Sequence, residues 1–191
     1  MTALHTAPPL LVVMGVSGSG KTTVGAALGQ RLRVPFADAD DFHPAANVAK
    51  MAAGQALDDE DRWPWLETIG AWLAAHDATG GVMSCSALKR RYRDQLRHHA
   101  HRVDFLHLHG SRELIANRQA ARSGHFMPAS LLTSQFATLE PLAPDEHGLV
   151  LDVDLPVDDL VQRYVDARRV PQQKFPQQKF PQQKFPEKEI R

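Results

Sequence analysis

One cysteine in 191 residues, Cys85, excludes an internal disulfide framework and suits a reducing compartment. No apolar run approaches the about 18 residues that cross a membrane. The opening MTALHTAPPL has neither a charged n-region nor a long apolar stretch, so no secretory signal is expected. Neither sign of charge dominates. The 22 Lys and Arg stand against 22 Asp and Glu, which removes the overall basic footprint of a nucleic-acid-binding protein. The expectation is a cytoplasmic protein with no membrane and no nucleic-acid partner. Histidine, by contrast, is plentiful at 10, and His98, His99, His101, His107 and His109 fall close together. No acidic or cysteine ligand joins them at a recognised metal spacing, so they read as a solvated helix end followed by strand residues.

What is present is an alternation. Apolar, β-branched runs trade places with helical periodicity, the pattern of βα units around a parallel sheet. Strands are expected at residues 10–14, 34–37, 82–85, 103–108 and 149–153. Helices are expected at 22–33, 64–76, 87–98, 113–122, 129–139 and 156–167, with a polar, partly helical stretch over 40–62. Residues 1–9 read as an N-terminal extension and 10–168 as a single domain. From residue 169 the character changes, and PQQKF occurs three times in succession from Pro171. Proline at that spacing forbids a continuous helix and disfavours strand pairing. Residues 169–191 therefore read as a low-complexity tail, disordered or added in expression.

The first expected strand runs straight into GVSGSGKT, residues 15–22, which fits the P-loop pattern G-x-x-x-x-G-K-S/T. Gly15, Gly18 and Gly20 let the backbone turn tightly and aim several N–H groups at one point. The helix that follows adds the positive end of its dipole there. Lys21 then reaches the β- and γ-phosphates, and the Thr22 hydroxyl serves Mg²⁺. Ser17, Ser19 and Thr23 complete the phosphate-binding set, so the donor is a nucleoside triphosphate with Mg²⁺, and the family resemblance given below implies ATP. The motif leaves the acceptor open. A GTPase needs N-K-x-D, which does not occur, and the D-x-x-G match at residues 77–80 follows a helix rather than a strand. Instead of a Walker-B acid, the strand at 82–85 runs into SCS, residues 84–86. A small kinase remains.

Asp38 and Asp40 fall at the end of the second expected strand, the side where a parallel sheet opens its ligand crevice. One carboxylate there supports Mg²⁺ through water, and a second holds an acceptor hydroxyl and takes its proton. On a strand the two would share a face; a looser turn would aim them apart.

Residues 37–66, ADADDFHPAANVAKMAAGQALDDEDRWPWL, closely resemble the signature of gluconate kinases, D-G-D-x-x-H-P-x-x-N-x-x-K-M-x-x-G-x-P-L-x-D-x-D-R-x-P-W-L. Ala39 replaces the glycine and Ala56 the proline, and neither change removes a functional group. SCSALKRRYRDQLR (84–97) and SGHFMPASLLTSQFATLEPL (123–142) extend the resemblance, in family order, over residues 10–167. It implies an α/β P-loop fold like that of shikimate kinase and the nucleoside monophosphate kinases. That fold has a five-stranded parallel sheet flanked by helices and a mobile lid at about residues 119–130. It also implies a homodimer and a gluconate 6-kinase.

Under that resemblance Lys21, Asp40 and Arg122 carry catalysis, and Arg118 and Arg122 neutralise the transferred phosphate. Arg62, Lys89 and Arg93 grip the substrate carboxylate, the last two from one face of a basic helix. His43, His125 and Gln135 either bind polyol hydroxyls or serve their own loops and helix. Trp63, Trp65 and Trp72 read as packing residues, because a linear sugar acid offers no flat ring face. The alternatives are a kinase of shikimate, another sugar acid or a nucleoside monophosphate, or a nucleotide-binding interaction protein without catalysis.

Overall fold

The computed structural model describes residues 7–121 and 129–169. Most of the N-terminal extension, the tail, and the lid-like residues 122–128 with Arg122, Gly124, His125 and Pro128 lie outside the described residues.

β1 (Leu10–Met14) is buried along its whole length, as its unbroken apolar run requires of a strand covered on both faces. β3 (Gly81–Ser84) and β4 (Asp104–His109) pair with it in parallel on either side. β2 (Phe36–Asp38) lies outside β3 and β5 (Gly148–Asp152) outside β4, giving a five-stranded parallel sheet in the order β2-β3-β1-β4-β5. The connections out of β1 and out of β3 lead to opposite edges, so a crevice opens beyond the carboxyl end of β1.

Strand alternation divides the core in two. Leu10, Val12, Met14, Met83 and Phe105 pack under α3 (Asp59–Ala75) and α4 (Arg90–His99), against Leu66, Ile69, Leu73, Tyr92 and Leu96. Leu11, Val13, Val82, Leu106 and Leu151 face α1 (Lys21–Leu32), α5 (Arg112–Ala120) and α7 (Val157–Arg169), through Val24, Leu28, Ile115, Leu160 and Tyr164. The short α2 (Ala45–Ala52) and α6 (Ala129–Thr138) complete the helices.

Three expected boundaries move, each for a local reason. α3 starts at Asp59 rather than 64, because Asp58 and Asp61 form a capping box that Lys50 reinforces with contacts of 3.0 and 2.5 Å. Pro64 therefore lies inside the helix. α4 starts at Arg90 rather than 87, because Ala87 adopts a left-handed φ of 41° and Lys89 is extended. β2 ends in Asp38, whose carboxylate caps a 3₁₀ turn, Ala39–Phe42, by accepting from the Asp40 N–H at 3.1 Å.

Candidate active site

The donor half is built by the β1–α1 junction. Gly15 has φ 142°, and a Cβ there would stand 2.8 Å from the Leu108 carbonyl, so only glycine lets the loop leave β1 beside β4. α1 begins at Lys21 with Gly20 as its cap and no side chain satisfying its first N–H groups. Those donors, with the helix dipole behind them, form an anion site. Lys21 Nζ donates to the Val16 carbonyl at 3.1 Å, curled over the loop. Thr22 Oγ1 donates to Asp38 Oδ2 at 2.7 Å, joining α1 to the end of β2. A hydroxyl and a carboxylate side by side make a hard-oxygen pair of the kind Mg²⁺ prefers. Next to them in the sheet register is Ser84, whose buried Oγ has no hydrogen-bond partner among the described residues. Sequence reasoning passed over Ser84. The signal was present, since it ends β3 where a Walker-B acid was looked for.

An open cleft of about 390 Å³ runs from Gly18, Gly20 and Thr23 across to Arg118, Leu155 and Val157. Arg118 is anchored there by donating to the Val153 carbonyl at 2.6 Å. The cleft adjoins the phosphate-binding loop, and part of its lining is apolar.

The acceptor half lies on the other side of Asp38. Because Asp38 ends the strand and starts the 3₁₀ turn, Asp40 does not share its strand face. The Asp40 side chain projects outward, 85% exposed, while Asp38 is held by Thr22. His43 follows, stacked on Trp65 with ring centres 4.3 Å apart. The Trp65 indole donates to the Ala39 carbonyl at 2.7 Å and so fixes both the ring and the turn. Asn47 donates to the Asp61 carbonyl at 2.8 Å and presents its other N–H to His43 Nδ1 at 3.4 Å. That leaves the imidazole proton on Nε2, facing Asp40. Burial lowers the His43 pKa against the pull of Asp40, and Arg62 lowers it further, so the ring is neutral. Asn47 and Trp65 stand in the same signature block but carried no site assignment.

Arg62 donates to the Tyr92 hydroxyl at 3.2 Å, and no carboxylate lies within 4.0 Å of it among the described residues. Tyr92 in turn donates to Asp59, which also accepts from Lys89 at 2.9 Å and from Arg91. These bonds, that from Tyr92 foremost, hold the Asp59 carboxyl down at about 2. Arg62, Lys89 and Arg91 thus surround one tyrosine ring.

Two expected substrate contacts are corrected. Arg93 is not on the site surface, nor does it share a helical face with Lys89. Lys89 is the extended cap of α4, and Arg93 is 0% exposed. Its guanidinium pairs with Glu146 at 2.7 and 2.8 Å. The remaining donors go to the carbonyls of Ala87, Leu88, Glu140 and Pro141. Every N–H is spent. Gln135 faces the P-loop instead of the acceptor, accepting from the Ser17 N–H at 2.6 Å. Cys85 is buried and its thiol is pushed up to about 12 by desolvation, which makes it inert. Among the described residues, no group of three or more His, Cys, Asp and Glu could hold a metal ion, and no helix is long and apolar enough to cross a membrane.

Known proteins are similar to this chain in sequence and fold. The family model for shikimate kinase matches residues 17–131. A gluconokinase of Gluconobacter oxydans is 51% identical over 150 residues, covering 76% of this chain and 83% of its own. A solved, unliganded sugar kinase from Janibacter superposes with a TM-score of 0.80 at 49% identity, over 85% of this chain and 95% of that one. A gluconokinase from Sinorhizobium meliloti superposes at 0.79 and 45% identity, over 86% and 95%.

Proposed function

Because this chain belongs to the gluconokinase family of P-loop kinases, we propose that it phosphorylates D-gluconate on its 6-hydroxyl with ATP, giving 6-phospho-D-gluconate and ADP. The observation that supports the acceptor half is the division of labour between two neighbouring carboxylates. Thr22 engages Asp38, and Asp40 projects outward with His43 Nε2 4.0 Å away.

In this reading the N–H groups of Gly18, Ser19, Gly20 and Thr22, with Lys21 and Thr23, bind the triphosphate. Thr22 would hold Mg²⁺, and Asp38 would help order it through water. The ion, when bound, neutralises phosphate charge. Asp40 orients the 6-hydroxyl and takes its proton as that oxygen forms the new bond to phosphorus and ADP leaves. His43, neutral with Nε2–H outward, donates to a polyol oxygen. Arg62 grips the carboxylate, with Lys89 and Arg91 adding field around Tyr92. Arg118 supplies charge from α5, and Arg122 and His125 keep the roles the resemblance implies. Residues 10–168 act as one kinase domain, with the tail outside it. A cytoplasmic homodimer completes the proposal, and light scattering of the purified protein tests the dimer.

Measuring ADP release with gluconate, shikimate, other sugar acids and nucleoside monophosphates tests the activity. Turnover that requires gluconate is expected. Turnover independent of gluconate, or none with it, overturns the assignment.

A further inference from the structure

Ser17 has both of its backbone groups held by side chains from elsewhere in the fold. Its N–H donates to Gln135 Oε1 of α6 at 2.6 Å, and its carbonyl accepts from Gln119 Nε2 of α5 at 3.0 Å. The partners are 118 and 102 residues away, so neither bond is a by-product of local chain geometry. The two helices are also joined to each other, Arg112 of α5 donating to Thr133 Oγ1 of α6. Gly18, the next residue, shows how closely α5 approaches. A Cβ on it would stand 2.7 Å from Gln119 Cγ and 3.2 Å from Ile115, and its φ is 85°.

We propose that Gln119 and Gln135 are positioning residues of the nucleotide site, which hold the two peptide planes on either side of Ser17 and so keep the P-loop in its phosphate-binding shape. The inference rests on the donor half of the function proposed above. An anion nest works by converging several N–H groups on one point, and its glycines leave the unliganded loop free to turn away. Fixing two successive peptide planes at the entrance removes much of that freedom before the phosphate arrives. The amide side chain suits both ends of the task, since one glutamine offers its oxygen and the other its nitrogen. The linkage is reciprocal: phosphate binding that favours this loop shape also favours α5 and α6 in their present places.

The test uses Gln119→Met and Gln135→Met, which keep side-chain length and remove the bond. Calorimetry with Mg²⁺-ADP reads the nucleotide site, and a thermal melt without ligand reads the fold. Loss of one such bond is expected to raise the ADP Kd about fivefold in each variant, with a comparable rise in KM for ATP and little change for gluconate. Because both bonds restrain the same residue through its two adjoining peptides, the double variant should fall short of the product of the singles. Unchanged ADP affinity in both variants overturns the clamp, as does a rise confined to the gluconate KM. If the wild-type protein binds no ADP, the donor reading falls and the clamp with it. Should either variant fail to fold, amide exchange in the unliganded wild type decides. The Ser17 N–H is expected to be protected, and exchange at the free-peptide rate overturns the proposal.

Discussion

Asp38 and Asp40 are separated by one residue and stand in different settings, because the chain changes conformation between them. Asp38 is extended, and its carboxylate is engaged by Thr22 and the Asp40 N–H. The Asp40 carboxylate is largely exposed, with His43 Nε2 4.0 Å away. Asp40→Asn keeps shape and removes the proton acceptor, so kcat should fall by a factor of about 10² to 10⁴ while ADP binding stays near normal. Steady-state kinetics beside ADP calorimetry check this, and loss of ADP binding alone would move Asp40 to the donor side. Arg93 makes the opposite case. Burial pushes the Glu146 carboxyl up, but the bonds from Arg93 and the Ala143 N–H bring it below its usual range. Removing Arg93 leaves the buried Glu146 carboxylate with only Arg97 at 3.3 Å and the Ala143 N–H. Arg93→Met should therefore cost about 3–5 kcal/mol of stability, most of it regained in Arg93→Met with Glu146→Leu. Urea unfolding reads both, whereas a gluconate-gripping Arg93 would raise KM and leave the midpoint unmoved. The P-loop was legible from residue spacing because its function lies in the backbone. Arg93 was not, because its partner is 53 residues away and no motif records burial.

At the scale of elements, periodicity located every strand and all the longer helices, since each buries a face against the sheet. It misplaced their starts where polar side chains decide. The Asp58–Asp61 capping box lengthens α3, and the left-handed Ala87 shortens α4 and turns Lys89 toward Asp59. β4 carries a feature that periodicity cannot price in: His107 sits among core residues, between Met14 and Val150 in the register. Desolvation lowers its pKa to about 3, and His109 and Arg93 push the same way. The folded pKa is depressed, so below pH 6.5 the unfolded chain takes up a proton that the native state refuses. Stability should thus fall on acidification by up to about 1.4 kcal/mol per pH unit, from roughly pH 6 down to pH 3. Comparing urea midpoints of wild type and His107→Gln at pH 7.5 and pH 5 isolates the effect. The variant should lose less on acidification, and equal losses would show that His107 is protonated within the fold. His43, also depressed by burial, adds to the slope with the same sign.

The whole molecule is a sheet with helices on both faces, and its functional groups gather beyond the carboxyl ends of the strands. Covering both faces closes the core without help from outside. α7 seals the α1 side through Leu160, Val161 and Tyr164 and runs to Arg169. The PQQKF repeats that follow lie outside the kinase domain proposed above, and their composition, one phenylalanine in five among proline, glutamine and lysine, is poor in apolar residues. Deleting residues 171–191 should therefore leave kcat/KM for gluconate within about twofold of the full chain and the melting temperature within a few degrees. Activity and melting curves of the two proteins, purified in parallel, measure this directly. A large loss of activity with the melt preserved would assign the tail to the site. Loss of both would assign its phenylalanines to the core, or to an interface between copies that the fold depends on.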